Sequence, residues 1–125
     1  SIIAVICDSL REAKYATSLL EPTFGSVVRL FSNDSFSFEE GIVVTSANEV
    51  KGLEFPVVAL WNPHKKAYPE NKLARNLLYV AMTRAQEMLS IFTWDRPSKL
   101  LPHIHSKLVY GIDRTELIEE SEEDR

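Results

Sequence analysis

The stretch NLLYVAMTRAQEMLSIFTW, Asn76–Trp94, decides the fold. Its apolar residues have helical spacing at first and then form a continuous run, which predicts a helix over Leu73–Glu87 followed by a buried strand over Met88–Trp94. At about 100° per residue, Arg84 stands roughly 90° from the centre of the apolar stripe. Its methylenes can therefore lie on packed surface while its guanidinium extends past the domain edge toward a phosphate or carboxylate. A boundary arginine in a salt bridge is the alternative that the helix alone leaves open.

Outward from this stretch, apolar runs alternate with helical patterns. The runs are IIAVIC at 2–7, SVVRLF at 26–31, GIVVTS at 41–46 and PVVALW at 56–61. A helix follows the first run, with Asp8 or Ser9 as its cap and Pro22 and Gly25 at its end. Strands that are apolar throughout are covered on both faces, so the pattern predicts a parallel α/β sheet between helices. Ligands bind beyond the carboxyl ends of such strands, which directs attention to TSANEVKGLEF and NPHKK.

Composition limits the class of protein. The chain has 125 residues, of which 45% are hydrophobic and 26% charged, enough for one domain with a real core. The net charge of −4 argues against a protein that coats nucleic acid generally. Acidic residues concentrate in ELIEESEEDR, so we expect a domain over residues 1–110 and an acidic tail over residues 111–125.

Three further features of the sequence bear on where the protein resides and on whether the sequence is part of a longer one. No apolar run approaches the ~18 residues that span a bilayer, so no membrane partner is expected. The single cysteine, Cys7, suits a reducing cytoplasm. The chain opens at Ser1 rather than at a methionine and enters a strand at once, which leads us to expect a piece of a larger protein.

Three segments carry a family resemblance. VKGLEFPVV (50–58) and LLYVAMTRA (77–85) resemble motifs V and VI of the second motor domain of superfamily 1 helicases of the UvrD/Rep type, in the same order and at a similar separation. AVICDSLREA resembles motif IV of that domain. The resemblance implies a RecA-like (P-loop NTPase-like) three-layer domain with a mostly parallel sheet. The Gly-x-x-x-x-Gly-Lys-Ser/Thr loop is absent from the sequence, so this domain lacks a P-loop of its own.

The resemblance also implies residue roles. In that family the arginine of TRA, here Arg84, reaches the γ-phosphate of ATP, which with Mg²⁺ is held mainly by the N-terminal motor domain of the same chain. Glu54 would accept a hydrogen bond from the ribose, Gly52 would let the backbone approach the nucleotide, and Lys51 would meet a phosphate or carboxylate. Tyr79 would brace the nucleotide site. An ordinary turn is the alternative for Lys51 and Gly52.

Two positions that face nucleic acid in the family differ here. Ser46 and Asn48 stand where a threonine and a histidine commonly touch single-stranded DNA. A serine keeps the hydroxyl, but an asparagine has no ring for stacking on a base.

The motif IV segment differs too. Cys7 and Asp8 stand where the family has an aromatic residue and an arginine, and an aspartate brings no positive charge to a phosphate. Either Arg11 or Lys14, from the next helical turn, substitutes for that arginine, or Arg84 acts alone and hydrolysis is slower or differently gated.

Two functions are consistent with these residues. The first is the C-terminal motor domain of an ATP-dependent DNA helicase or translocase that acts on single-stranded DNA, inactive as an isolated fragment. The second is a nucleotide-gated binding module of a HelD-like ATPase that acts on RNA polymerase, suggested by the short link between motifs IV and V. No metal site is expected, because His103 and His105 with His64 and Cys7 make a poor zinc set.

Overall fold

The structure, a computed structural model, describes residues 1–32 and 39–101, which form one sheet with two helices. In chain order the elements are β1 (Ile2–Cys7), α1 (Leu10–Phe24), β2 (Val28–Leu30), β3 (Gly41–Ser46), β4 (Phe55–Trp61), α2 (Lys72–Met82) and β5 (Ala85–Phe92). Short 3-10 turns lie at Gly25–Val27 and Ala47–Glu49.

The five strands are all parallel, in the order β2-β3-β1-β4-β5. The central strand β1 lies between β3 and β4, with Ile3 opposite Ile42 on one side and opposite Val57 on the other. Parallel neighbours require crossover connections, and the helices and the β3–β4 segment supply them.

Alternate residues of the strands face two separate cores. Ala4 and Ile6 of β1 face the core on the α2 side, and Val5 and Cys7 face the core on the α1 side. The α2 side is closed by Ala74, Leu78 and Ala81, and the α1 side by Ala13 and Ala16. Helix, sheet and helix therefore form three layers, which confirms the predicted α/β class and its mostly parallel sheet.

Helix α1 begins at the predicted cap. The Ser9 hydroxyl accepts a hydrogen bond from the Glu12 amide at 3.1 Å, so Ser9 rather than Asp8 is the capping residue. At the other end Gly25 has φ 70° and its amide donates to the Glu21 carbonyl, as glycine at a helix terminus does. Pro22 lies within the last turn and Gly25 directly follows the last helical residue, so the predicted end of the helix is confirmed, with Gly25 as the residue that terminates it.

Helix α2 is shorter than predicted and β5 begins earlier. The predicted helix over Leu73–Glu87 ends at Met82, and the strand starts at Ala85 rather than at Met88. Apolar residues in this stretch satisfy both the helical and the alternating period, and pairing with β4 decides between them. The Phe55 amide donates to the Arg84 carbonyl at 2.8 Å, and Ala85 lies opposite Phe55.

Some predictions fall outside the described residues. These are the boundary at residue 110, the acidic tail over residues 111–125, and the pair His103 and His105. Within the part that is described, neither helix has the length and apolar character needed to cross a membrane.

Candidate functional site

The connection between β3 and β4 passes over β1 and runs the length of the strands, from the carboxyl edge of the sheet to the amino edge. It leaves the carboxyl end of β3 at Ser46, and it reaches the amino end of β4 at Phe55. Ala47 and Val50, both 0% exposed, pack into the core on the α2 side, so the segment runs over that face. Ser46 lies opposite Cys7, one residue past the pair Ile6 and Leu60. The two ends of the connection are therefore separated by about six strand residues, or about 20 Å.

This path corrects the expectation that all of TSANEVKGLEF lies at the carboxyl edge of the sheet. Ser46 and Asn48 do lie at that edge. Lys51 to Glu54 immediately precede β4 and lie at the opposite, amino edge, next to the turn that carries Arg84. The expectation that ligand-binding residues lie beyond the carboxyl ends of the strands does not apply to Lys51–Glu54, because the short connection between β3 and β4 runs from one edge of the sheet to the other.

Arg84 lies in the turn between α2 and β5, not on the helix as predicted. Its Nε donates to the Val80 carbonyl at 3.1 Å, its Nη1 donates to the Leu53 carbonyl at 3.2 Å, and its Nη2 donates to the Thr83 hydroxyl at 3.2 Å. The first and third bonds join the guanidinium to the end of α2. The second joins it to the loop before β4, so the two resembling segments meet at this side chain.

The described part of the chain holds no carboxylate that balances the charge of Arg84. Among the residues that the structure describes, no Asp or Glu oxygen lies within 4.0 Å of its guanidinium, and all three of its partners are neutral oxygens. The described residues therefore give no support to the alternative of a boundary arginine in a salt bridge. A guanidinium has five N–H donors, of which three are used here, so two remain for another acceptor.

The loop before β4 is open to solvent. Lys51, Gly52 and Glu54 are exposed, and Leu53 is half-buried. The Leu53 amide donates to the Val50 carbonyl at 3.0 Å and closes a tight turn in which Gly52 has φ 82°. A side chain at position 52 would meet no atom within 4 Å, so the turn needs glycine for its backbone angle and not for space within this domain.

Tyr79 lies on the last turn of α2 and is 68% exposed. Its ring does not belong to either core cluster, whereas its carbonyl accepts hydrogen bonds from the Thr83 amide and the Thr83 hydroxyl. The ring is therefore available to a ligand or to another domain, and the bracing role stays a prediction.

The carboxyl edge holds the two positions assigned to nucleic acid. Asn48 is exposed, but Ser46 is only 2% exposed. Of the two, Asn48 is the better placed to contact a ligand at this edge, and a phosphate would not reach the Ser46 hydroxyl without local rearrangement.

Asp8 also lies at the carboxyl edge, directly after β1, and is half-buried. Helix α1 starts here and covers the face of the sheet opposite to α2. Arg11 and Lys14 therefore differ from Arg84 both in the edge and in the face of the sheet on which they lie. The suggestion that either of them substitutes for a missing arginine beside Arg84 is not supported by this placement.

The loop after β4 and the loop after β5 are joined by hydrogen bonds at the same carboxyl edge; together they are called the loop pair. Asn62, with φ 47° and 6% exposed, donates from its side-chain nitrogen to the Asp95 carboxylate at 2.9 Å. Its side-chain oxygen accepts from the amides of Trp94 and Asp95. The Trp61 and Trp94 rings meet edge to face at 4.7 Å, with Trp94 at the rim and half exposed.

Two groups at the site were missed by sequence reasoning. The Leu53 carbonyl is a backbone atom, and no sequence pattern shows which carbonyl a distant arginine will reach. Thr83 lies inside the helix predicted over Leu73–Glu87, so its place at the helix end was not predicted. A threonine directly after a long apolar helix and before a polar residue could have indicated the helix end.

Metal ligation does not account for the site. In residues 1–32 and 39–101 no group of three or more His, Cys, Asp or Glu side chains is arranged to hold an ion.

Comparisons with known proteins agree with the fold and with the two segments that meet at Arg84. Residues 41–92 match the family model described as UvrD-like helicase C-terminal domain. The fold is similar to the crystal structure of the C-terminal domain of a possible DNA helicase from Lactobacillus plantarum WCFS1. That match has a TM-score of 0.70 and 30% identity, and it covers 86% of this chain and 65% of that one. Over residues 41–92 the chain is thus similar to the UvrD-like helicase C-terminal domain family.

Curated proteins similar to this chain include the ATP-dependent DNA helicase PcrA of Staphylococcus aureus, from strains Mu50 and COL. Each is 28% identical over 89 residues, a match that covers 62% of this chain and 11% of the relative. The match thus spans about a ninth of these relatives' length. Both resembling segments, 50–58 and 77–85, lie inside the range matched by the family model.

Proposed function

We propose that this domain supplies Arg84 to the γ-phosphate of ATP in an ATP-dependent DNA helicase or translocase. An N-terminal motor domain of the same protein would hold most of the ATP together with Mg²⁺. Phosphoryl transfer needs positive charge at the transferred group in the transition state, and a charge carried by a second domain makes hydrolysis depend on closure of the two.

The observation that carries the proposal is the environment of the Arg84 guanidinium. It is half-buried, fixed by three neutral oxygens, and without a carboxylate among its described partners. A purely structural arginine would gain more from an acidic partner, because a guanidinium and a carboxylate form two parallel hydrogen bonds between opposite charges. Neutral partners fix the plane of the group while leaving its charge available to an anion.

The adjacent loop supplies groups that suit the rest of a nucleotide. Lys51 and Glu54 are exposed on the loop whose Leu53 carbonyl binds Arg84. An ammonium suits a phosphate, and a carboxylate suits the hydroxyls of a ribose. These residues offer no cluster of carboxylates for Mg²⁺, so the metal would be held by the other motor domain.

Contact with single-stranded DNA would take place at the other edge of the sheet. Asn48 is exposed there, and its amide can bond to a phosphate or a base edge. Ser46 would take part only after local movement, since it is buried.

The test is ATP turnover by the full-length protein with and without single-stranded DNA. Arg84→Lys keeps the charge but loses the planar fork, and we expect kcat to fall about 10³-fold or more. Arg84→Ala should fall at least as far. Arg75→Lys is the matched control, because Arg75 is exposed on α2 and its side chain has no partner among the described bonds. Its kcat should equal that of the wild type.

Two results would count against the proposal. One is an Arg84→Lys enzyme that turns over ATP at the wild-type rate. The other is a loss of turnover that disappears when each variant is compared at equal folded fraction, which would show that Arg84 acts through stability alone.

A second candidate is a nucleotide-gated binding module that acts on RNA polymerase, as in the HelD-like branch. Asp8 and the ringless Asn48 at the carboxyl edge favour it over a translocating motor. Turnover that depends on Arg84 but does not respond to single-stranded DNA, together with capture of purified RNA polymerase that responds to ATP, would favour this alternative.

A further inference from the structure

The Thr83 hydroxyl occupies a specific place beside Arg84. Its oxygen lies 2.9 Å from the Tyr79 carbonyl and 3.2 Å from the Val80 carbonyl, and it accepts from Arg84 Nη2 at 3.2 Å. A hydroxyl has one proton to donate and two lone pairs that accept. The proton is engaged by the carbonyls at the end of α2, so the oxygen is turned toward the guanidinium as an acceptor.

This hydroxyl and the Leu53 carbonyl fix the two ends of one group. Arg84 Nη1 is held by the loop before β4, and Nη2 is held by Thr83. With Nε bonded to Val80, rotation about the bonds that turn the guanidinium plane would break at least one of the three contacts. A displacement of about 1 Å at a reacting centre can reduce a rate about a hundredfold.

From this geometry we infer that Thr83 is the positioning residue for Arg84: its hydroxyl sets the orientation in which the two remaining N–H donors face the transferred phosphoryl group. The inference rests on the proposed function of Arg84. Thr83 itself touches no reacting atom. It acts by selecting one orientation of the guanidinium before ATP is enclosed.

A structural role makes a different prediction. Thr83 caps the end of α2, with its amide donating to the Tyr79 and Ala81 carbonyls. If capping were its whole role, loss of the hydroxyl would lower stability and would leave the turnover of the folded enzyme unchanged.

The experiment uses the full-length protein and three substitutions. Thr83→Val removes the hydroxyl at nearly constant shape, Thr83→Ala removes it without a β-branched side chain, and Thr83→Ser keeps it. We expect kcat and kcat/KM for ATP to fall together by about tenfold in the Val and Ala variants, because the lost interaction matters in the transition state. The Ser variant should keep most of the activity. Having two variants without the hydroxyl protects the test against misfolding of one of them.

A double-substitution cycle with Arg84→Ala decides the mechanism, measured in single turnovers so that low rates are visible. If Thr83 acts through Arg84, Thr83→Val has no further effect on the rate once the guanidinium is gone. An equal tenfold loss in the Arg84→Ala background, or full activity of Thr83→Val beside a disabled Arg84→Ala, overturns the positioning role and leaves the proposed function of Arg84 intact. Full activity of Arg84→Ala itself overturns both.

Discussion

At the scale of single residues, the partners of Arg84 are the observation that favours the proposed role over a structural one. Three neutral oxygens hold its guanidinium, and they come from the end of α2 and from the loop before β4. An anion that approached from another domain would meet a fixed donor pair without first displacing a carboxylate. The cost of ordering a long side chain has already been met in the folded domain.

Gly52 offers a prediction at the same scale. Its φ of 82° is unfavourable for an L-residue, and an added Cβ would meet no atom within 4 Å. Gly52→Ala should therefore lower the free energy of unfolding by about 1–2 kcal/mol through backbone conformation alone. It should also lower ATP turnover, because relaxation of the turn moves the Leu53 carbonyl that holds Arg84. Urea unfolding and steady-state turnover measure the two effects.

Gly25 is the matched control for that substitution. It has φ 70°, no atom near an added Cβ, and a position at the end of α1, away from Arg84. Gly25→Ala should cost about the same stability and leave turnover unchanged. Equal turnover of the two variants would show that the conformation of the Gly52 turn does not matter to the site.

At the scale of elements, the sequence indicated the strands and the cap of α1 well, and the helix-to-strand junction poorly. β1 and β3 have the predicted bounds, because a short apolar run bordered by polar residues predicts a strand of that length. The run after Met82 fits both a helix and a strand, and only pairing with β4 separates the two. Pairing is a long-range contact, so local periodicity could not have shown it.

The same limit applied to the site. The resemblance selected Arg84, Gly52 and Glu54 by type, and the structure places all three at the amino edge of the sheet. The resemblance could not show that the eight residues between β3 and β4 begin at the carboxyl edge and end at the amino edge, with polar side chains at both edges. That path depends on the burial of Ala47 and Val50 under α2, which is a property of the assembled core.

The loop pair at the carboxyl edge depends on Asn62. Its side-chain oxygen accepts from two backbone amides, and its nitrogen bonds to Asp95. Asn62→Ala removes these partners in a buried place and keeps an unfavourable φ of 47°. We expect a loss of about 2–4 kcal/mol in the free energy of unfolding, measured in urea.

Asn62→Gly separates the two contributions. Glycine tolerates the backbone angle but cannot supply the amide, so this variant should recover about 1 kcal/mol relative to Asn62→Ala. If both variants matched the wild type, the hydrogen bonds to residues 94 and 95 would contribute nothing measurable to the loop.

At the scale of the whole molecule, the two sets of candidate site residues lie at opposite edges of one sheet. Arg84 and its loop are at the amino edge, and Asn48 is at the carboxyl edge, about 20 Å away along the strands. Strand β4 connects the edges directly, from Phe55 beside Arg84 to Trp61. The two edges thus belong to one continuous sheet.

Two buried ionisable groups in the core also make the stability of the domain depend on pH. Burial, reinforced by Glu12 and Asp8, raises the pKa of the Cys7 thiol, and burial together with Asp8 and Cys7 raises the pKa of the Tyr68 hydroxyl. Both groups thus stay protonated in the folded state at pH values where the unfolded chain loses their protons. The stability they contribute is complete below their unfolded pKa values, about 8.5 for the thiol and about 10 for the phenol. It is lost as the pH rises above them.

We therefore expect the free energy of unfolding to decline from about pH 8.5 upward, with each group adding a slope of up to about 1.4 kcal/mol per pH unit above its unfolded pKa. Urea unfolding at a series of pH values measures the decline, and Cys7→Ala is the matched variant. Because alanine has no proton to lose, the curve of the variant should be flatter than that of the wild type between about pH 8.5 and 10. Tyr68→Phe should flatten the curve only above about pH 10. Wild-type and Cys7→Ala curves that run parallel across this range would mean that the thiol ionises as easily in the folded domain as in the unfolded chain, and that the core around β1 is open to water.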